Sequence, residues 1–287
     1  MTLTMKYPSL VLGLAALAPS VRAADCDREC LRGFITQYLD AMVAHKPGAL
    51  PVANGIKFTE DTVQKPLGDG LWKTASGLRK YRQDILDVRQ GVAASQVVVE
   101  EAGMPVMLVL RLKIAGKKIT EVETQATRSR AEGAIFSIDA LQTAGKAMNL
   151  VPDPAQLNSR DDAIKAALFY PAGLKIGSFM EVNAPFASDA YRIENGTVTA
   201  GAGCGRAGCE NIKTQTIMKH PAITTRVAAV DEELGIVLLR MNFGDTGSYG
   251  PGNALIVWEA FKVYGGQIHA VEAFMRVMPA TAGSGWD

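Results

Sequence analysis

The chain has almost no net charge. Lys and Arg number 30 against 29 Asp and Glu, a formal balance of +1, so a sequence-independent grip on nucleic acid, which needs a basic face, has no compositional support. The apolar run near the start, Leu10 to Ala18, is too short for the roughly 20 residues a membrane-spanning helix needs. Short catalytic motifs are missing too. Gly-x-Ser-x-Gly is absent, which removes the nucleophile elbow of a Ser-His-Asp hydrolase; neither HExxH nor a carboxylate–histidine cluster at metal-ligand spacing occurs, so no metal and no cofactor is expected. Residues 203–208, GCGRAG, match G-x-G-x-x-G, with Asp231 downstream. The preceding Thr197 to Ala200 is too short and polar for the buried strand of a dinucleotide unit, and the segment reads as a surface loop. A hydrophobic content of 48% with 21% charged residues excludes disorder, collagen and coiled-coil arrays as the main architecture.

What is present begins with Lys6, the short apolar run, Pro19 and the small-residue triplet Val21-Arg22-Ala23, a pattern that reads as a signal peptide over residues 1–23 and a secreted chain. Secretion gives the four cysteines a meaning, because an even count in an oxidising compartment points to disulfides. Cys204 and Cys209 lie in a glycine-rich stretch able to close a small loop. Cys26 and Cys30 on one helix would hold their Cβ atoms about 5–6 Å apart, beyond the roughly 3.5–4.5 Å of a disulfide. Either Cys26 precedes the helix or the two pairs cross-link. Asn195-Gly196-Thr197 is an N-glycosylation sequon.

The chain repeats itself. Residues 112–124 align without gaps on 261–273 at an offset of 149, with Lys113 on Lys262, Gly116 on Gly265 and Glu123 on Glu272. Upstream, Pro51 to Asn54 and Glu60-Asp61 fall on Pro185 to Ser188 and Glu194-Asn195 at an offset of 134. The second copy therefore carries insertions, supplied by the Cys204–Cys209 loop and the Gly244 to Gly252 segment. Two halves follow, 24–135 and 160–279, joined by a linker over 136–159 and ending in an exposed tail over 280–287. In the first, Leu31, Phe34, Ile35, Tyr38, Leu39 and Met42 form a 3.6-residue stripe, with Asp27 as N-cap and Pro47-Gly48 beyond the end. A short strand around Ile56 to Thr59, a second helix from about Gly77 to Leu86, and extended runs at Gln96 to Glu100, Val106 to Ile114 and Lys118 to Thr127 are expected next. The second half repeats this ending over Ile236 to Phe243, Leu255 to Val263 and Gln267 to Val277. Helices packed on a curved antiparallel sheet, twice, make an α+β architecture. Val106 to Leu110 and Leu255 to Trp258 are apolar on both faces, so the halves are expected to pair through their sheets as a pseudo-dimer.

TED (59–61) followed by GDGLW (68–72), with ENG (194–196) and VDEELG (230–235) in the second half, resembles the SnoaL-like branch of the NTF2-like cone fold, and in particular secreted fungal and bacterial proteins built of two such halves. Relatives include ketosteroid isomerase, scytalone dehydratase, polyketide cyclases, epoxide hydrolases and non-catalytic modules, so the resemblance implies fold more than activity. This sequence departs from the pattern at Asp61, where Asn is commoner, and at Ala190, where relatives often carry Cys. The resemblance implies cofactor-free acid–base chemistry, by a lyase or isomerase, on a small apolar molecule such as a polyketide or aromatic compound. A non-catalytic ligand-binding protein of the same fold is the alternative.

In isomerases of this fold the region of Glu60 and Glu194 carries the carboxylate base, which makes these two the first catalytic candidates; capping a turn is the competing role. Glu123 and Glu272, at one repeat position amid apolar neighbours, serve either a pocket or a salt bridge between halves. His269 has a near-neutral pKa suited to proton transfer, but i and i+3 on a strand point to opposite faces, so it cannot share a pocket with Glu272. Tyr38, Trp72, Tyr191 and Trp258 are candidate pocket aromatics that could equally be core, and Arg192 beside Glu194 suits anion stabilisation. Asp231-Glu232-Glu233 reads as a solvated turn.

Overall fold

Helix α1 (Arg28–Val43) starts where the sequence places it, because Asp27 accepts a hydrogen bond from Cys30 N at 2.9 Å and satisfies one of the free amides of the first turn. The computed structural model describes residues 26–143, 145–283 and 286; the signal-peptide reading of residues 1–23 lies outside them. Cys26 precedes the helix, so the Cys26–Cys30 bridge forms across its N-cap with Cα atoms 5.3 Å apart. The second bridge is Cys204–Cys209. Mass spectrometry of the unreduced protein is expected to show four hydrogens fewer than the reduced chain, and labelling of any native thiol would contradict it.

The apolar stripe of α1 packs into a six-stranded sheet with order β2-β1-β6-β5-β4-β3, built from β1 (Val52–Glu60), β2 (Val63–Gln64), β3 (Ala75–Asp87), β4 (Val92–Glu101), β5 (Met104–Ala115) and β6 (Lys118–Thr127). The second half repeats it around helix α2 (Arg160–Ile176), with order β8-β7-β12-β11-β10-β9. Its strands are β7 (Phe186–Glu194), β8 (Thr197–Ala200), β9 (Thr224–Asp231), β10 (Ile236–Asn242), β11 (Asn253–Tyr264) and β12 (Gln267–Pro279). In each half the first strand pairs parallel with the last, so the sheets are mixed and not wholly antiparallel.

The second helix expected over Gly77 to Leu86 is strand β3. Leu78, Tyr81, Ile85 and Leu86 imitate a helical period because register shifts between Ala75 and Gly77 and between Leu78 and Arg82 break the strand alternation, and Gln83 supplies a buried polar residue where an apolar one would have marked a strand. Tertiary pairing overrides the local pattern.

Alternate residues of each sheet face opposite ways. Leu108, Leu110 and Leu112 of β5 face α1, whereas Met107 and Val109 join Tyr81, Val98, Trp258, Ala260, Ala270 and Phe274 in one buried cluster between the two sheets. The halves thus pack back to back, which explains strands that are apolar on both faces.

Two reciprocal clasps edge this seam. Arg28, at the start of α1, donates to both oxygens of Asp231 at 2.6 and 2.8 Å, and Asp231 also accepts from Leu86 N at 3.1 Å. Arg160, at the start of α2, donates to Asp87 at 3.0 and 2.6 Å, and Asp87 accepts from Val230 N at 2.9 Å. Each aspartate is buried and reaches the helix and the edge strand of the other half. Asp231 is therefore a buried pairing residue and not part of a solvated turn. Lys262, also buried at the seam, donates to Met148 O at 3.4 Å and to the carbonyls of Leu150 and Leu234, tying down the linker. The tail is less exposed than its composition suggests: the Trp286 indole donates to Thr59 Oγ1 at 3.0 Å, with Lys57 Nζ 4.4 Å over its ring.

Candidate functional site

The two cones are built alike and filled differently. In the first, Trp72 donates its indole N–H to Tyr38 Oη at 2.8 Å, the rings meeting edge to face at 5.1 Å. Leu71 and Trp72 arrive on a short 3-10 turn (Gly70–Lys73) and pack against Phe58 and Leu110 as core. Glu60 holds this plug in place: its oxygens accept from Leu71 N and from Lys65 Nζ, both at 2.8 Å. Gly70 has φ +68°, and a Cβ there would lie 2.1 Å from Glu60 Oε1, so the close approach requires glycine. Glu60, Tyr38 and Trp72 are thus structural, correcting their reading as catalytic and substrate-binding residues. Glu60→Gln is expected to cost about 1.5–3 kcal/mol, the worth of hydrogen bonds to a charged group, and to leave turnover unchanged. A denaturation midpoint equal to wild type would contradict that role.

In the second cone the plug is replaced by an irregular insertion over residues 201–223, and a cavity of about 650 Å³ opens between the insertion, α2 and the sheet. The volume lies within the range of small-molecule sites. Its walls are mainly apolar, including Ile135, Leu174, Ile217, Phe243, Leu255 and Met275. A depression of about 590 Å³ elsewhere, against residues 136–140, lies outside both cones, and its charged residues are exposed or, like Arg79 and Arg128, paired.

The repeat shows what changed. At the offsets of 134 and 149, Arg192 takes the place of Phe58 and Glu259 that of Leu110, while Tyr170 lies as far from the start of α2 as Tyr38 does from the start of α1. Arg192 is buried and multiply held: Nε donates to Thr199 Oγ1 at 2.8 Å and lies 3.2 Å from Glu194 Oε2, Nη1 donates to Tyr170 Oη at 3.0 Å, and Nη2 to Gln215 Oε1 at 3.4 Å. Burial opposes its charge, but the Glu194 carboxylate, with Tyr170 and Glu259, outweighs burial and raises its pKa further. Glu194 lines the cavity. Glu259 does not line the cavity; it is fully buried near Arg192 and Tyr170, with neither oxygen in a well-formed hydrogen bond. Burial first, then repulsion from Glu194, pushes its pKa up to about 8, against the pull of Arg192 and the nearby Tyr170 hydroxyl. At neutral pH Glu259 holds a proton and Glu194 is the partner of Arg192. His220 also lines the cavity, packed on Phe243 and Tyr249 at 4.6 and 6.3 Å, and burial lowers its pKa.

A carboxylic acid whose pKa is raised on folding binds a proton in the folded state that the unfolded chain has lost, so stability falls as pH rises between the two values. For Glu259 that window runs from its ordinary 4.5 to about 8, with a slope of at most about 1.4 kcal/mol per pH unit. Glu259→Gln is expected to be more stable than wild type at pH 8, with the difference vanishing below pH 4.5. Parallel stability curves across that window would refute the assignment.

The remaining sequence candidates lie elsewhere. Glu123 and Glu272 face the seam: both oxygens of Glu123 accept from Arg226 Nη2 of the other half at 2.7 and 2.8 Å, and Glu272 accepts from Tyr191 Oη at 2.8 Å and from Tyr81 Oη of the first half at 3.3 Å. Burial raises both pKa values. Tyr191 and Trp258 belong to the same seam and not to a pocket. His269 is stacked on Tyr264 at 3.6 Å, with Nε2 3.2 Å from Tyr264 O, at the hairpin end. Asn195 is fully buried; Nδ2 donates to the carbonyls of Gly133, Ile135 and Met275 at 3.0–3.2 Å, and Oδ1 accepts from Met275 N at 2.8 Å. A glycan on Nδ2 has no room, which corrects the sequon reading. Asp61 does the same for Ala126 N at 2.9 Å, so the motifs behind the resemblance are turns that staple the first strand of each half to its last. Residues 203–208 are a loop with no helix between them and β9, so this stretch is not the strand-to-helix turn of a dinucleotide fingerprint. Glu194 and Arg192 are the candidates that the cavity brings together. Glu259, Tyr170 and Gln215 were missed, although comparing the repeats column by column shows Arg over Phe and Glu over Leu.

Each half is a helix seated in a six-stranded mixed sheet, the arrangement that the resemblance to the NTF2-like cone implies. A family model described as a domain of unknown function (DUF8021) matches residues 156–275, the cavity-bearing half. No curated protein matches. Among solved structures, an NTF2-like protein of unknown function from Shewanella baltica OS155 is 15% identical, with TM-score 0.29, over 42% of this chain and 93% of its own. An NTF2-like protein of unknown function from Cytophaga hutchinsonii ATCC 33406 is 8% identical, with TM-score 0.27, over 34% of this chain and 89% of its own. A de novo designed protein with a curved β-sheet is 13% identical, with TM-score 0.29, over 35% and 88%.

Proposed function

We propose that this is a secreted, cofactor-free acid–base enzyme of the tandem SnoaL-like type, in which the second cone binds a small, largely apolar molecule and dehydrates, isomerises or cyclises it. The observation that carries this reading is the Glu194–Arg192–Glu259 cluster: in the half that has a cavity a guanidinium pairs with Glu194 and lies near a second, buried carboxyl group, where the filled half keeps Glu60 but has Phe58 and Leu110 in place of the other two. Burial and repulsion from Glu194 raise the proton affinity of Glu259, which suits Glu259 to the acid role. Glu194, on the wall, takes a proton from the substrate. Negative charge developing on a substrate oxygen is stabilised by Arg192, whose position is already fixed by Thr199, Tyr170 and Gln215. As Glu194 becomes neutral, Arg192 loses its counterion, which favours release of the Glu259 proton through the Tyr170 hydroxyl to the leaving or accepting atom. The disulfides are compatible with an oxidising compartment, and among the described residues no helix is long and apolar enough to cross a membrane.

A deletion strain of the source organism, complemented with wild type or with Glu194→Gln, tests this by untargeted metabolite profiling. An apolar compound that accumulates in the deletion and in the Glu194→Gln strain, but not with wild type, is the expected result. Full rescue by Glu194→Gln favours instead a non-catalytic ligand-binding protein of the same fold.

A further inference from the structure

The insertion that opens the second cone is tied by a disulfide at the cavity mouth. Cys204, Gly205 and Arg206 line the cavity from one end of the insertion, and Gln215, Ile217 and His220 from the other. The far end is well anchored: Ile212 is buried, Gln215 meets Arg192, and His220 N donates to Leu174 O at 2.8 Å. The near end is not. Gly203 and Gly208 hold φ +85° and +79°, and a Cβ built on Gly203, Gly205 or Gly208 would touch nothing within 4 Å, so between the buried Gly201 and Cys209 the chain is mostly exposed and little packed. Its backbone bonds are few, Gly201 N to Cys209 O at 2.8 Å, Cys204 N to Gly201 O at 3.2 Å and Cys209 N to Arg206 O at 3.4 Å. The Cys204–Cys209 bond is the one covalent constraint on a glycine-rich rim with little else to hold its shape.

We propose that Cys204–Cys209 is a redox latch on the mouth of the second cone: oxidised, it holds the rim against the cavity; reduced, it lets the rim swing away and loosens the grip on an apolar ligand. Reduction by a dithiol breaks the S–S bond with two electrons and two protons, leaving two thiols on the rim and the reductant as a disulfide. Cys204 is the partly exposed sulfur and Cys209 the buried one, so attack comes at Cys204 and expels Cys209 as the leaving thiolate. The Cys26–Cys30 bridge, at the N-cap of α1 in the other half, is the internal control.

The latch rests on the cavity being a ligand site, not on the acid–base assignment. The test compares the full chain with Cys204→Ser/Cys209→Ser and with Cys26→Ser/Cys30→Ser, and wild type before and after dithiothreitol. Two readouts are used: hydrogen exchange, and binding of the apolar fluorophore anilinonaphthalene sulfonate. Amides of residues 202–218 are expected to exchange about tenfold faster without the latch, as for a segment opening locally, while those of β11 and β12 keep their protection. A rim closed only about a tenth of the time weakens dye binding about tenfold. The Cys26/Cys30 variant is expected to match wild type at the rim and in dye affinity. Unchanged exchange at the rim, or dye bound as tightly without the bridge as with it, overturns the latch. Wild type that does not bind the dye overturns the ligand-site reading and the latch with it, and rim amides that still exchange faster without the bridge then show a structural constraint on the rim and nothing more.

Discussion

Asp231→Ala is expected to destabilise the protein by about 3–5 kcal/mol, the range for removing one partner of a buried ion pair. The loss has three parts in one residue. Arg28 keeps its charge with 15% of its side chain exposed and loses its bidentate partner, Leu86 N loses its acceptor on the edge strand β3, and Leu234 N loses the bond that shapes the following turn. Asp87→Ala removes the mirror set, from Arg160, Val230 N and Gln90 N, and should cost a similar amount. Urea titrations of each variant and of the double mutant provide the check. The clasps lie on one seam, so the double loss should be non-additive. A loss under about 1 kcal/mol from either single variant, as at a solvated ion pair, would remove the clasps from the account of how the halves hold together.

Glu194→Gln is expected to lower turnover by roughly 10²–10⁴-fold, the contribution of a positioned acid–base group, with Arg192 still held by Thr199, Tyr170 and Gln215 and the fold intact. Glu259→Gln should lower turnover by a similar factor, since an amide cannot return a proton, while raising stability at pH 8 as argued above. The pH profile separates the two roles. Glu259 acts as the acid only while protonated, so wild-type turnover should fall as pH rises through about 8. That alkaline limb should be missing from the residual activity of Glu259→Gln. An alkaline limb at the same pH in this variant would mean that another group supplies the proton. Initial rates on the compound that accumulates in the deletion strain are the measurement.

Much of this arrangement could be read from the chain alone, and the exceptions have physical reasons. The stripe of α1, the hairpins around Gly116 and Gly265, and the pairing of two halves through strands apolar on both faces are local or periodic signals. Strand β3 was hidden by its bulges and by Gln83. The clasps were invisible because Arg28 and Asp231 are 203 residues apart, and nothing in a turn-like Asp-Glu-Glu announces burial. Glu60 and Glu194 share a repeat position and differ in environment: one accepts from a backbone amide and a lysine, the other from an arginine beside a cavity. Glu259 lies in an otherwise apolar strand, where its oddity shows only against Leu110.

Joining the cones in a single chain has a consequence for their chemistry. In a homodimer of identical subunits every substitution is made twice, so a protonated carboxyl group buried without a good partner would burden both copies, and each cone would have to be hollow. Here the sequence is free to differ on the two sides of the seam. Leu110, Phe58 and Trp72 make one cone a solid block, and that block can support a neighbour carrying Arg192, Glu259 and an open cavity. The filled half acts as ballast for the hollow one.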